Sequence, residues 1–336
     1  MKSRMMLVLL IVPLVAVGML VQVLLSPDEG RGPAKTTAPL RIALDLWPGY
    51  LPAVVAAEKG IFAKNGVAVE LKINKEVPQT VADFRNGDVD GIFGVFSDMI
   101  ILLTEGVPSK VVHVSDFSQS GDVIVGKPEF ASLADLKGRT VSFEKVNSFS
   151  HIYVLKALEA HGLSEKTVRF EIVPPQNVLT ALEQGRIDAG HTWQPTTSQA
   201  LAKGYRILSK AGDFPGIITD TLSFSTKAIA ERPDDIQAVV TSLWEGRAYV
   251  DAHREESLAI GAKAFSMSTD ELASGLSEVL QPDRQATLSA MTRSESPYSL
   301  YASGEFIIQF LLSRGQLQKI PNLDDVIDAR FAKVPN

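Results

Sequence analysis

Short apolar runs alternate with segments of helical pattern between residues 40 and 208. Runs such as Leu40–Leu44 and Thr140–Phe143 have the length of buried strands. Longer segments such as residues 52–64 and 150–161 have a glycine just beyond them, as helices commonly do. Strands that alternate with helices form βαβ units, in which helices cover both faces of a parallel sheet. The alternation therefore predicts an α/β fold.

The alternation occurs twice with matching residues. Residues 84–90 read Phe-Arg-Asn-Gly-Asp-Val-Asp, and residues 182–188 read Leu-Glu-Gln-Gly-Arg-Ile-Asp. In both segments a helix ends at glycine, and a strand then begins with a β-branched residue followed by Asp. A single Gly-x-x-Asp is common, and βα units also resemble each other by chance. Two copies at corresponding places favour two similar lobes.

We assign residues 40–126 and 213–336 to a first, discontinuous lobe and residues 127–212 to a second. Two crossover strands, near residues 123–125 and 222–225, are expected to join them. Helical segments dominate after residue 233, at residues 233–251, 255–265, 268–280 and 299–313. This C-terminal third is predicted to pack on the first lobe.

The N-terminal residues indicate export. Lys2 and Arg4 precede an apolar run at residues 5–25, and residues 27–39 are rich in Gly, Pro, Thr and charge, as a tether would be. The run reaches the roughly 20 residues that span a bilayer. An uncleaved anchor and a cleaved signal peptide, both within residues 1–26, therefore stay open. We expect a periplasmic, extracytoplasmic protein, and the uncleaved segment would make the cytoplasmic (inner) membrane a partner.

Composition excludes several kinds of chemistry. The 336 residues include no cysteine, which excludes disulfides, thiolate catalysis and cysteine-ligated zinc. A net charge of −6 without a Lys/Arg block argues against a nucleic-acid partner. The five histidines lack metal-ligand spacing, and the common catalytic and nucleotide-binding motifs are missing. We therefore expect neither an enzyme nor a metal site nor a cofactor.

Residues 45–50, Asp-Leu-Trp-Pro-Gly-Tyr, follow the first predicted strand. Pro48 removes a backbone donor and Gly49 permits positive φ, so the strand is expected to end there. Ligands of open α/β sheets bind at the carboxyl ends of strands. Asp45, Trp47 and Tyr50 are therefore candidate ligand-binding residues, with core packing as the alternative for Trp47.

A second group of candidates opens the first helix of the second lobe. Ser148, Ser150 and His151 flank a predicted helix start, where free backbone N–H groups and hydroxyls attract an anion or a carbonyl. Simple N-capping by either serine explains the same residues without a ligand. Trp193 follows a strand of the second lobe and is a candidate for contact or for core packing.

Four further polar residues lie beside predicted strand ends. Ser97 and Asp98 open a helix of the first lobe, where Asp98 is also explained as a complement to the helix dipole. Ser118 and Asp220 flank the two predicted crossover strands and are candidates for the cleft.

The order of several short motifs carries a family resemblance. The motifs are Trp47-Pro48-Gly49-Tyr50, Ala57-Glu58-Lys59-Gly60-Ile61-Phe62, Gly66-Val67-Ala68-Val69, Asn86-Gly87-Asp88-Val89-Asp90, Ser120-Gly121-Asp122-Val123-Ile124-Val125, Leu133-Ala134-Asp135-Leu136-Lys137-Gly138-Arg139-Thr140-Val141, and Ala181-Leu182-Glu183-Gln184-Gly185-Arg186-Ile187-Asp188-Ala189 with Trp193 and Pro195. Over residues 40–260 the chain resembles the periplasmic substrate-binding proteins of ABC importers for nitrate, sulfonates and taurine, which are related to binders of thiamine-pyrimidine precursors. The resemblance implies a type II periplasmic binding protein fold, two α/β lobes that close on a small-molecule ligand, and ABC permease and ATPase subunits as partners.

The candidate residues suggest the ligand's chemistry. Ser148, Ser150 and His151 would donate to an anionic or carbonyl group, and Asp45 or Asp98 would accept from an N–H group. A sulfonate or taurine-like zwitterion or a substituted heterocycle fits, whereas a bare nitrate leaves the carboxylates unpaired. The alternatives are an enzyme on the same fold, acting on a small carboxylated substrate through His151 or Asp98, and a membrane-tethered sensor.

Overall fold

The computed structural model describes residues 38–317 and 319–333. The predicted anchor or signal peptide and most of the tether lie outside the described residues. None of the helices described in these ranges has the length and apolar character needed to cross a bilayer. The described residues from Pro39 onward form one compact unit with two sheets.

The strands, in chain order, are β1 (Leu40–Leu44), β2 (Val69–Ile73), β3 (Gly91–Val95), β4 (Ser109–Ser118), β5 (Val123–Gly126), β6 (Thr140–Phe143), β7 (Arg169–Ile172), β8 (Ala189–Thr192), β9 (Arg206–Lys210), β10 (Thr219–Ser225) and β11 (Val279–Leu280). The first sheet has the order β11–β4–β10–β3–β1–β2, and the second has the order β7–β6–β8–β5–β9. In each sheet three neighbouring strands are parallel, namely β2, β1 and β3 in the first and β7, β6 and β8 in the second. The predicted two-lobed α/β fold is confirmed.

The helices, in chain order, are α1 (Leu51–Glu58), α2 (Ile61–Lys64), α3 (Val77–Arg85), α4 (Phe96–Thr104), α5 (Phe149–Ala160), α6 (Val178–Glu183), α7 (Thr196–Ala202), α8 (Thr226–Glu231), α9 (Pro233–Ala252), α10 (Arg254–Phe265), α11 (Thr269–Ser277), α12 (Arg284–Ala290), α13 (Leu300–Ser313) and α14 (Leu323–Val326). The C-terminal helices pack on the first sheet as predicted, since Val239 and Leu243 of α9 share a buried cluster with Val55 of α1. Helix α13 also reaches the second lobe, where Arg314, just beyond it, lies 2.9 Å from Glu165.

The repeated Gly-x-x-Asp has the same structural role in both lobes. Asp90 accepts a hydrogen bond from the backbone N–H of Arg41 in β1, at 2.9 Å. Asp188 accepts one from the backbone N–H of Thr140 in β6, also at 2.9 Å. Each aspartate thus fixes the start of one strand against its parallel neighbour, and this shared role explains why the two segments look alike.

Three predicted elements differ from the structure. The single helix expected at residues 52–64 is broken at Gly60, whose φ of 68° cannot continue an α-helix. The helix expected at residues 268–280 ends at Ser277, because Val279–Leu280 pairs with the edge of β4. The apolar segment at residues 110–114 predicts a strand that ends at Val114, but β4 continues to Ser118, and the polar side chains of its last four residues are buried rather than exposed.

Strand β5 pairs with β8 and β9 of the second sheet, although it precedes the lobe boundary expected after residue 126. The chain therefore passes between the sheets at residues 119–122 and returns at residues 211–218. The two connections are bonded to each other: Gly212 N–H donates to Gln119 O at 2.7 Å, and Ala211 N–H donates to Asp122 O at 2.9 Å. Antiparallel pairing between such distant segments leaves no local pattern in the sequence.

Candidate ligand-binding cleft

The Trp-Pro-Gly-Tyr turn lies at the carboxyl end of β1, as predicted. The strand ends at Leu44, and a one-turn 3-10 helix, Pro48–Tyr50, leads into α1. Gly49 is not among the residues with positive φ, contrary to expectation. A Cβ at Gly49 would instead overlap the carboxylate of Asp116, so the position requires glycine for close approach.

Aromatic and acidic side chains from both lobes enclose a small cavity, which we call the inner cavity. Its volume is about 30 Å³, room for one or two water molecules. It is lined by Asp45, Trp47, Tyr50, Val77, Thr80, Val81, Phe93, Gly94, Val95, Asp122, Phe149, Trp193, Ile218 and Asp220. Five of the predicted site residues therefore meet at one place: Asp45, Trp47, Tyr50, Trp193 and Asp220.

A larger outer cavity of about 380 Å³ adjoins the inner one and shares Asp45, Val77 and Trp193 with it. Its ionisable lining residues are Asp45, Lys75, Glu76 and Glu144. Together the two cavities have the size and the mixed apolar and polar lining that are typical of small-molecule sites.

Buried carboxylates hold the aromatic residues of the first lobe. Trp47 Nε1 donates to both carboxylate oxygens of Asp116, at 3.2 Å each. The Tyr50 hydroxyl donates to Asp220. Asp116 and Asp220 are cross-strand neighbours on β4 and β10. The two aromatic rings are therefore oriented by two adjacent acids, of which Asp220 lines the inner cavity and Asp116 does not.

Burial raises the pKa values of the acids in and beside the two cavities. Loss of hydration raises the pKa of Asp45 to about 7, although a hydrogen bond from the backbone of Trp47 opposes the shift. Burial likewise raises the pKa of Asp116 to about 8, against the Trp47 hydrogen bond and with the help of nearby Asp122. Burial and then the proximity of Asp116 raise the pKa of Asp220. In the outer cavity, burial raises the pKa of Glu144 to about 8.

Asp122 is fixed by a buried chain of hydrogen bonds. His191 Nε2 lies 2.9 Å from Asp122 Oδ1, and His191 Nδ1 lies 2.7 Å from Ser150 Oγ. The residue types are those of a hydrolytic triad, but Ser150 is 0% exposed, and its Oγ accepts a hydrogen bond from Glu144 N–H at 3.0 Å. A substrate cannot reach this hydroxyl. The chain of bonds instead joins helix α5, strand β8 and the connection that carries Asp122.

The other predicted site residues lie away from the inner cavity. His151 packs between Phe143 and Phe310, and burial lowers its pKa to about 4. Ser148 caps helix α5 by accepting a hydrogen bond from His151 N–H at 3.5 Å. This is the N-capping role that was the alternative to ligand binding. Ser118 Oγ accepts from Asp122 N–H at 3.0 Å, and Ser97 Oγ is buried without a partner among the described residues.

Asp98 lines a third, side cavity of about 250 Å³ together with Ser148, Glu144, Lys145 and Arg85. Asp98 is in the first turn of α4, and burial raises its pKa to about 7 against the attraction of Lys145. The side cavity is distinct from the inner cavity and shares with it only Val77 and Val81.

Sequence reasoning missed Asp116, Asp122, Glu144 and Phe149. Asp116 lies among alternating apolar and polar residues, Val114-Ser115-Asp116-Phe117-Ser118, so its burial leaves no local signal. Asp122 lies in the segment Ser120-Gly121-Asp122, which belongs to one of the motifs that carry the family resemblance. Gly121 there allows close packing, since a Cβ would lie 2.8 Å from the Trp47 ring. No local signal identified Glu144.

Residues 34–265 match the NMT1-like family. The chain belongs to this family. An aliphatic sulfonates-binding protein of Escherichia coli strain K12 is 33% identical over 205 residues, which cover 59% of this chain and 63% of that protein. The match therefore spans less than two thirds of the relative's length.

Solved structures share the fold of this NMT1-like chain. The periplasmic aliphatic sulphonate binding protein SsuA from Escherichia coli superposes with a TM-score of 0.70 at 22% identity, covering 85% of this chain and 91% of that one. The desulfurization enzyme DSZB superposes with a TM-score of 0.64 at 17% identity, covering 88% and 97% of the two chains. At these identities the likeness establishes the fold, which serves both binding and catalysis.

Proposed function

We propose that this protein is an extracytoplasmic solute-binding protein, which captures a small polar solute between its lobes and delivers it to the permease and ATPase subunits of an ABC importer. The observation that carries the proposal is the inner cavity, whose aromatic walls come from both lobes. Trp47 and Tyr50 belong to the first lobe, and Phe149 and Trp193 belong to the second. A ligand in contact with all four rings would hold the lobes together, which is how hinge closure couples to binding.

A direct contact across the cleft supports closure. The side-chain amide of Gln194 in the second lobe donates to Glu278 Oε1, next to β11 of the first, at 2.8 Å. The backbone N–H groups of Gln119 and Ser120, in the first connection, both donate to Glu278 O at 3.0 Å. Glu278 thus joins the edge of the cleft to the segment about which the lobes would turn.

The periplasmic location and the importer partners are supported by the names of similar proteins, one of which is a periplasmic sulphonate binding protein and another a component of an ABC-type import system. The N-terminal residues, which carry the expected export segment, decide between a free protein and one anchored to the cytoplasmic membrane. Purification of the native protein followed by N-terminal sequencing distinguishes these two forms.

The test is a thermal-shift screen of the full chain against sulfonates, zwitterions, amines, pyrimidines and nitrate. A ligand present at one hundred times its dissociation constant should stabilise the fold by about 2.7 kcal/mol. A hit is then titrated by tryptophan fluorescence in a Trp244→Phe background, where Trp47 and Trp193 are the remaining indoles. A saturable fluorescence change that is lost in Trp193→Ala supports binding in the cleft. Identical titrations of the Trp244→Phe protein with and without Trp193→Ala would place the ligand elsewhere.

An enzyme on the same fold is the second candidate, because DSZB shares the architecture. The residues proposed for such a role, His151 and Asp98, do not support it, because neither lines the inner cavity. His151 packs between Phe143 and Phe310, and Asp98 lines the side cavity. Mass spectrometry of a bound solute after prolonged incubation separates the candidates. Recovery of the unchanged solute supports binding, and a new product supports catalysis.

A further inference from the structure

We propose that the inner cavity binds a protonated nitrogen that carries N–H groups, so that the ligand is an organic cation rather than a simple anion. The inference rests on the proposed solute-binding function and names the chemical class of the solute. The shared chemistry is a positive N–H donor, which an aliphatic ammonium group and a protonated amino-heterocycle both supply.

The charge of the cavity walls is the first observation. Three carboxylates line the inner cavity, those of Asp45, Asp122 and Asp220, and its described lining contains no Lys, Arg or His. The outer cavity adds Glu76 and Glu144 against a single cation, Lys75. A sulfonate in this cleft would have several acidic neighbours and, within the described residues, one exposed lysine to balance it.

Asp45 supplies the second observation. Asp122 already has His191 as a partner, and Asp220 accepts from Tyr50. Asp45 is only 8% exposed, yet no side chain among the described residues forms a hydrogen bond or an ion pair with it. Its interaction is with the backbone of Trp47. A buried carboxylate that lacks a cationic partner and lines both cavities is an acceptor suited to an incoming cation.

The aromatic walls are the third observation. Trp47, Tyr50, Phe149 and Trp193 surround the same space, and the rings of Phe149 and Trp193 lie 6.0 Å apart, centroid to centroid. The faces of aromatic rings attract cations, and Trp does so most strongly. Aromatic faces combined with a carboxylate favour a cation and disfavour an anion at the same point.

The position of Asp45 also orients the ligand. Because Asp45 lines the inner and the outer cavity, a nitrogen bound to it would place the rest of the molecule in the outer volume of about 380 Å³. That volume suits a body of roughly one ring, with Trp193 and Pro195 along its wall.

The test is isothermal titration calorimetry on the full chain at pH 7.5, with four probes: benzylammonium, 4-aminopyridinium, phenylmethanesulfonate and taurine. We expect at least one of the two cations to bind at least tenfold more tightly than phenylmethanesulfonate. The cation that binds more tightly shows whether the N–H group belongs to an aliphatic ammonium group or to a protonated amino-heterocycle. Asp45→Asn should weaken that cation at least tenfold, whereas Asp88→Asn, an exposed acid outside the cleft, should leave its affinity unchanged.

A second measurement uses the unmodified chain and so does not depend on the folding of a variant. Titrations of each probe in two buffers of different ionisation enthalpy report the protons exchanged on binding. A cation beside partly protonated carboxylates should release protons, and an anion should take them up.

The outcomes separate the two proposals. Tighter binding of phenylmethanesulfonate with proton uptake overturns the cation inference and leaves solute binding in place. Tightest binding of taurine with the same affinity in Asp45→Asn likewise overturns it, because the ammonium group of taurine would then not bind at Asp45. If none of the four probes binds and the thermal-shift screen also finds no ligand, solute binding itself fails and the inference fails with it.

Discussion

Trp47 and Asp116 form a buried pair that orients one wall of the inner cavity. The indole N–H donates to a carboxylate that is 0% exposed and separated from it by 69 residues in sequence. The hydrogen bond fixes the plane of the Trp47 ring, which borders the inner cavity. The backbones of Gly49 and Gly121 pack closely against this pair, so the ring has little freedom to rotate.

Trp47→Phe should therefore destabilise the protein by about 1–3 kcal/mol at pH 7.5, because it keeps an aromatic ring but leaves the buried Asp116 without its donor. Urea unfolding measures the change. Trp244→Phe is the matched control, since the Trp244 N–H is buried without a hydrogen-bond partner among the described residues. Equal losses of stability in the two variants would show that ring size, and not the hydrogen bond, is responsible.

Secondary-structure elements are joined at the cleft by polar side chains rather than by apolar packing alone. The chain Ser150–His191–Asp122 connects helix α5 to strand β8 and to the connection between the sheets. All three residues are almost fully buried. Such a network is rigid only while each member has its partner, so one deletion affects the orientation of Asp122 at the cavity.

Ser150→Ala should lower the free energy of unfolding by about 1–3 kcal/mol, because His191 loses a buried partner. Ser142→Ala is the control in the neighbouring strand β6, where the buried hydroxyl has no hydrogen-bond partner in the described part of the chain. The measurement is again chemical denaturation, and the control should change stability little. A Ser150→Ala variant as stable as Ser142→Ala would contradict a structural role for the network.

At the scale of the whole molecule, the three cavities and their surroundings concentrate acids that the fold keeps partly protonated. Burial raises the pKa of Asp45 and Asp98 to about 7 and that of Asp116 and Glu144 to about 8. The folded protein therefore binds more protons than the unfolded chain near neutral pH. Ionisation of these groups in the folded protein is costly unless a cation lies nearby.

Stability without ligand should therefore fall as pH rises from 6.5 to 8.5, by a few kcal/mol in total. The sign follows because each of these carboxyls keeps its proton to a higher pH in the folded state than in the unfolded chain, so the folded state loses stability as pH rises through the raised pKa. Burial also lowers the pKa of His113 to about 3 and that of His151 to about 4, an effect that acts below pH 6.5 and outside this window.

Urea unfolding at pH 6.5, 7.5 and 8.5 measures this dependence. Asp45→Asn should flatten it, and the exposed Asp88→Asn should not. Stability that rises over the window would mean that these carboxylates are already compensated in the free protein.

Much of the architecture was predictable because it is encoded locally. The helix and strand periodicities, the glycines that end helices, and the Asp90 and Asp188 repeat predicted two similar lobes. The strand end at Leu44 was predictable from Pro48. The site was predictable in part: Asp45, Trp47, Tyr50, Trp193 and Asp220 follow or flank strand ends. The places of Ser150 and His151 were not, because a helix start looks the same whether it faces a cleft or a core.

The sequence by itself determined the α/β alternation, the lobe repeat and the aromatic residues at the strand ends, since each depends on neighbours within a few positions. The tertiary structure alone decided which acids meet those aromatics. Trp47 reaches Asp116 across 69 residues and Tyr50 reaches Asp220 across 170, through the antiparallel pairing of β4 with β10. Both carboxylates are buried, and burial rather than residue type sets their charge.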